Sequence, residues 1–313
     1  MLGAGRRALA IAFNTYREAV RARILLGLAG LALATALYSI AVGEFALKNA
    51  SRVVADLGSA SISLYAILAA ITIGATSLYR ELEQKTLFPI LARPIHRAEY
   101  IVGKYAGTVL TLAVFIALDA AVVLLILARH GGRSWGAVLG TAAVLVAVPA
   151  LAMWRLPRAR TSIPIPWAAS AFTLAIFLSS GAADDRRVVL GSSALALMEV
   201  MIVSGIATLF SAFSSPFLSA LFTTGLFIVG RESSTLARLP VRFFGPFVKR
   251  LGAVFAAIVP NLDVYVPPRP LLTGEAPNTS LALHLAWAAI QALGWSTGLL
   301  VVSSWIFRRR DLT

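Results

Sequence analysis

Ile24-Leu-Leu-Gly-Leu-Ala-Gly-Leu-Ala-Leu-Ala-Thr-Ala-Leu-Tyr-Ser-Ile-Ala-Val42 decides the fold class. The run holds no charged residue. As a helix its ~19 residues reach about 28 Å, close to one bilayer core. A cleaved secretory leader has a shorter apolar core and less basic sequence ahead of it, so the run reads as an uncleaved span. The same signal recurs over 62–78, 101–127, 135–153, 163–181, 188–210, 217–229 (a short run) and 281–307. The expected fold is an all-α integral membrane protein, a polytopic helical bundle of about eight transmembrane helices forming a single domain over 1–313.

Composition gives the same answer. The chain is 58% hydrophobic and 13% charged, with a mean hydropathy of +0.82. A soluble domain averages about 45–50% apolar and about 25% charged residues, so the excess must face lipid. The net charge of +14 does not make a nucleic-acid footprint, which gathers basic residues on one face. Here they sit in short clusters between apolar runs, where they orient helices against anionic lipid. No nucleic-acid partner is expected. With no cysteine, disulfides, thiolate nucleophiles and Cys-ligated metals are excluded. His96, His130 and His284 are scattered without metal-ligand spacing and read as loop or interface residues.

Residues 1–23 are periodic but not apolar throughout. Leu9, Ala12, Phe13, Tyr16, Val20 and Ile24 form one stripe, with Arg7, Asn14, Arg17, Glu18 and Arg21 opposite. That pattern fits an amphipathic helix lying in the membrane interface; an ordinary charged flank to the first span is the competing reading. With the first segment inside, the cytoplasmic pieces are 1–23, 79–100, 154–162, 211–216 and 308–313. Four of these five carry dense Lys and Arg, as the positive-inside rule requires, and both termini are then cytoplasmic. The outer loop 230–280 carries a stripe of Phe243, Phe244, Phe247, Val248, Leu251, Val254, Phe255 and Ile258, interrupted by Gly245 and Pro246. One or two short helices are expected there, their stripe either in the outer interface or packed on neighbouring spans.

No catalytic constellation is present. Gly103-Lys104 is followed by Tyr105 and lacks the earlier glycine of a phosphate-cradling loop. There is no Gly-x-Ser-x-Gly elbow, no His-Glu-x-x-His and no metal-ligand set. Two acids fall within spans, Asp119 and Glu199. A carboxylate at that depth is costly without a partner, hence a functional candidate. No Arg or Lys inside a span offers a partner, Lys104 standing at the mouth of the third. Ion coupling through these acids and a merely hydrogen-bonded, inward-facing role both stand.

The stretch Tyr79-Arg-Glu-Leu-Glu-Gln-Lys-Thr-Leu-Phe-Pro-Ile-Leu-Ala-Arg-Pro-Ile-His-Arg-Ala-Glu-Tyr-Ile-Val-Gly-Lys104 resembles the cytoplasmic loop of ABC exporter permeases of the type 2 class. Those loops read as an acid-rich turn, a Thr followed by apolar residues, Arg-Pro-x-x-Arg, and a Gly-Lys opening the next span. Three further stretches agree: 13–23 is similar to the family's elbow helix, Phe210-Ser-Ala-Phe-Ser-Ser-Pro216 to the turn before its penultimate span, and Pro260-Asn-Leu-Asp263 to an element of its last outer loop. The branch resembled most is the permease subunit of copper-site maturation systems for nitrous oxide reductase. The family usually has six spans, so 135–182 reads as an inserted helical hairpin.

What the resemblance implies is a permease that binds no cofactor itself and works with a dimer of separate ABC ATP-binding subunits, which carry ATP and Mg. A second permease copy, as a homodimer, in the inner membrane of a bacterium, completes the expected assembly. The coupling loop 79–100 would seat on the ATPase through Leu87 and Phe88, with Glu81, Glu83, Arg93, Pro94 and Arg97 around them; anchoring of these charges at lipid headgroups is the plainer alternative. An ion-coupled secondary transporter using Asp119 and Glu199, and a non-transport membrane scaffold, are the competing functions.

Overall fold

The computed structural model describes residues 2–46, 49–83, 96–238, 241–277 and 279–309. Among them every regular element is a helix: Leu2–Arg21 (α1), Arg23–Phe45 (α2), Ala50–Glu83 (α3), Arg97–His130 (α4), Trp135–Arg155 (α5), Pro164–Leu178 (α6), Ala183–Ser211 (α7), Pro216–Arg231 (α8), Ser233–Ala237 (α9), Val241–Ile258 (α10), Arg269–Thr273 (α11) and Leu281–Arg309 (α12), with short 3-10 turns between some of them. Seven of these, α2 to α7 and α12, are long and apolar enough to cross a membrane. The eighth apolar run forms α8, of 16 residues. At 1.5 Å per residue it reaches about 24 Å, short of a hydrocarbon core of about 30 Å.

Three helices make the centre. α3, α4 and α7 pack on one another and share one apolar core that includes Ile62, Leu124 and Val200. Around them, α2 lies on α3, α6 on α4, α12 on α7, and α1 along the first half of α4. The outer helices keep large apolar side chains exposed: Leu26, Leu33 and Leu37 on α2, and Leu139, Val144, Val148 and Leu151 on α5. That surface is a lipid-facing belt, since α5 shows almost nothing polar along it.

The second span differs from its sequence reading. Its helix starts at Ala50 rather than near 62. The added turns carry Arg52 and Asp56, and they hold their polar groups at one end of the bundle. There Arg269 of α11 pairs with both Asp56 and Asp185 of α7, and Arg52 lies 3.7 Å from Asp56. Loss of apolar character marks the edge of the bilayer, not the end of the helix.

α5 contains Pro149. Proline has no N–H, so the carbonyl four residues back, on Leu145, loses its intrahelical donor. The indole N–H of Trp167 on α6 takes its place at 2.8 Å. A bond to the adjacent helix thereby satisfies a backbone group that lipid could not.

The segment after α8 folds back on the bundle. The Leu262 amide donates to the Gly230 carbonyl at 2.9 Å, and Tyr265 donates its hydroxyl to Ala288 of α12 at 3.1 Å. Burial, and then the nearby Glu199 carboxylate, push the Tyr265 phenol above its ordinary range. α10 is broken at Gly245 (φ 76°, ψ 166°), where the Gly-Pro pair interrupts the stripe. Phe247, Val248, Leu251, Val254, Phe255 and Ile258 stand exposed, so these members of the stripe face outward instead of packing on neighbouring spans.

Candidate coupling node and intramembrane charges

The last turn of α3 carries Glu81 and Glu83, and α4 begins at Arg97. Leu87, Phe88, Arg93 and Pro94, the centre of the expected coupling loop, lie outside the described residues. In the first turn of α4 Glu99 accepts two bonds from Arg7 of α1, from Nε at 2.8 Å and Nη2 at 3.0 Å. In the same turn Arg97 Nη1 donates to the Phe307 and Arg308 carbonyls of α12, each at 2.9 Å. A cation at those last carbonyls also meets the negative end of the α12 dipole.

Aromatic contacts continue the node. Tyr100 stacks on Phe307 with ring centroids 6.2 Å apart, and both rings are fully buried with Ile101 and Ala212. Lys104 is itself buried, its ammonium 5.6 Å from the Tyr100 ring centre. One turn on, the Tyr105 hydroxyl donates to the Met201 carbonyl of α7 at 3.1 Å. The start of α4 is therefore tied to α1, α7 and α12 at once. Arg97, expected at a rim, is drawn into this node.

α1 docks through small residues. A Cβ on Gly107 would lie 2.4 Å from the Ala12 carbonyl oxygen and 2.7 Å from the Thr15 Cβ; one on Gly103 would lie 2.8 Å from the Ala8 carbonyl oxygen. The two glycines, spaced Gly-x-x-x-Gly, let the backbones meet as small residues do between membrane helices. The buried face of α1 is Ala12, Thr15, Tyr16 and Ala19, while Leu9 and Phe13 are exposed. Burial pushes the Tyr16 phenol up to about 12.

Deeper in the bundle the two acids behave differently. Glu199 of α7 is 0% exposed and accepts from Arg231, at 2.8 Å from Nε and 3.0 Å from Nη2. Ser63 of α3 stands 3.4 Å from the same carboxylate and 3.3 Å from Arg231 Nη2. No Arg or Lys inside an expected span meets this acid; its partner, Arg231, comes from the start of the expected outer loop. Arg231 lies at the C-terminal end of the short α8, where the fold brings that end level with the interior of α7. A basic residue read as loop thus reaches an acid read as span. Asp119 of α4 is 6% exposed, and its Oδ2 has no hydrogen-bond partner among the described residues. The two acids share no contact, so the structure does not assemble them into one site. Among the described residues no group of His, Asp and Glu could hold a metal ion.

The described parts are a helix start tied to three other helices, just after a charge-rich stretch of sequence, and a paired charge within an apolar bundle. No curated protein matches the chain in sequence. The model of the family described as ABC-2 family transporter protein matches residues 9–312, nearly the whole chain. Permeases of that family work with ATP-binding subunits. This chain is a multi-pass membrane protein that belongs to the ABC-2 transporter family, and so a membrane permease of an ABC transporter.

Proposed function

We propose that the chain forms the membrane path of an ATP-driven exporter and takes its motion from separate ATPase subunits through 79–100. The observation that carries this reading is the node at the start of α4. A push on the chain between Glu83 and Arg97 reaches α1 through Glu99 and Arg7, and α12 through Arg97 and the Phe307 carbonyl. A loop that merely anchored at headgroups would need neither tie. Glu81, Glu83, Arg93 and Arg97 supply charge, and Leu87, Phe88 and Pro94 supply apolar surface, for seating on an ATPase groove.

In the same reading 1–23 is the elbow helix, 135–182 an added hairpin and 230–280 the extracytoplasmic loop with its short helices. ATP and Mg sit on the partner ATPase dimer, and this chain holds no cofactor. Two permease copies form a homodimer in a bacterial inner membrane, termini in the cytoplasm, where the basic clusters favour them. Within the family the chain stands nearest the permease subunit of copper-site maturation systems for nitrous oxide reductase, a reading that rests on the sequence motifs of 79–104 alone. The test is reversal of Glu81 and Glu83 to Lys. ATPase subunits are expected to stop co-purifying, or their ATP turnover to lose its dependence on the permease. Unchanged association and turnover would sink the coupling role. The unpartnered Oδ2 of Asp119 favours one second reading, ion coupling, which requires Asp119→Asn to abolish transport while ATP turnover persists.

A further inference from the structure

At the end of the bundle opposite the α4 start, a cleft of about 370 Å³ opens between α3, α7, α8 and the segment leading to α11. Its polar lining comes from three helices: Asp56, Ser59 and Ser63 on α3, Ser192 on α7, Arg231 on α8, with Arg269 at the mouth. The acids are already served. Glu199 behind the wall accepts from Arg231 Nε and Nη2. Asp56 is paired with Arg269 and Arg52, and Asp185 with Arg269.

The donors are not. Arg231 Nη1 makes no bond to any described residue, although the side chain is 24% exposed and lines this cleft. Ser59 Oγ is buried with no partner among the described residues. The Ser192 hydroxyl likewise bonds to no described residue. A cleft with its acceptors saturated and its donors open calls for a ligand that accepts. The three donors stand on three different helices, which suits the tetrahedral oxygens of a phosphate ester better than the two coplanar oxygens of a carboxylate. The three acids and three arginines around it cancel, so a singly charged group meets no net repulsion. Phe227, Leu64, Ile67 and Val188 continue the wall as apolar surface, which an amphiphile's tail would cover.

We propose that this cleft binds a phosphate ester, its oxyanion held by Arg231 Nη1 and the hydroxyls of Ser59 and Ser192. The site requires no ATPase partner, so it can be tested on this chain alone, separately from the coupling role above.

The experiment is thermal unfolding of the full chain in a neutral maltoside detergent. Dioleoylphosphatidylglycerol, glycerol phosphate and dioleoylglycerol are titrated in turn. A phosphate-bearing probe is expected to raise the unfolding midpoint, and dioleoylglycerol, which lacks the oxyanion, is not. Stabilisation by the phospholipid alone identifies a lipid headgroup as the source; an equal effect of glycerol phosphate identifies a free solute. In Arg231→Gln/Glu199→Gln, which removes both charges of the pair, half-saturation should rise at least about tenfold. Ser59→Ala leaves the pair intact and should raise it about threefold or more. Equal stabilisation by dioleoylglycerol, no shift with either phosphate probe, or Ser59→Ala and the double variant both titrating like the unsubstituted chain would each overturn the site.

Discussion

Trp167 donates its indole N–H to the Leu145 carbonyl at 2.8 Å, the one carbonyl in α5 that Pro149 leaves without its intrahelical donor. This bond is an exchange between two helices that otherwise touch little along their lipid-exposed faces. Trp167→Phe removes the donor and leaves an unpaired carbonyl in an apolar setting, at a cost of about 1–3 kcal/mol. Adding Pro149→Ala restores an intrahelical donor and should recover most of that loss. Thermal unfolding of the two variants in detergent decides it; no recovery in the double variant would show that the indole acts by packing alone.

Glu199 and Arg231 form the deepest ion pair of the described residues. Removing one partner leaves a charge buried without compensation, typically about 3–5 kcal/mol. Glu199→Gln and Arg231→Gln should each destabilise by about 3 kcal/mol, the lower end, because Arg231 is partly exposed. The double variant should lose less than the sum of the two, since it buries no lone charge. Additive losses in a double-mutant cycle would mean the pair is not coupled.

Gly107 sits under the Ala12 carbonyl of α1, and Gly27 on α2 has nothing within 4 Å of where a Cβ would stand. Gly107→Ala should therefore push α1 off α4 and cost about 1–3 kcal/mol. Gly27→Ala should be neutral or stabilise by up to about 1 kcal/mol through helix propensity. Equal midpoints for the two variants would show that α1 is not held by close approach.

Arg7 and Glu99 join α1 to the start of α4 over a span of 92 positions. Arg7→Glu should lower the unfolding midpoint, and Arg7→Glu with Glu99→Arg should restore it in part. Because Arg7 is substantially exposed, the difference should shrink as salt is raised. A swap that fails to restore would place the role of Arg7 elsewhere.

The spans were legible because lipid demands long apolar runs, and nothing else in a chain of this composition produces them. What the runs did not disclose was partnership. Arg231 stands just beyond the end of its apolar run and reads as loop, yet the shortness of α8 places it beside Glu199. Trp167 reads as one more apolar residue until Pro149 frees a carbonyl opposite it. The apolar stripe of α1 was legible, but which of its members meet protein was not, because lipid accepts Leu9 and Phe13 as readily as protein does. The protein-facing side is chosen instead by size, so that Ala12, Thr15 and Ala19 meet Gly103 and Gly107. Of the candidate site, Arg97 and Glu99 were visible as charges within 79–100, and their ties to α12 and α1 needed the fold.

The shortness of α8 has a further consequence for the membrane around it. Its outward face presents Phe217, Leu218, Leu221 and Ile228 over a length about 6 Å less than the hydrocarbon it meets. An apolar face of that length matches a thinner layer of hydrocarbon than the faces of its longer neighbours do, a mismatch that costs a fraction of a kcal/mol per ångström wherever lipid abuts it.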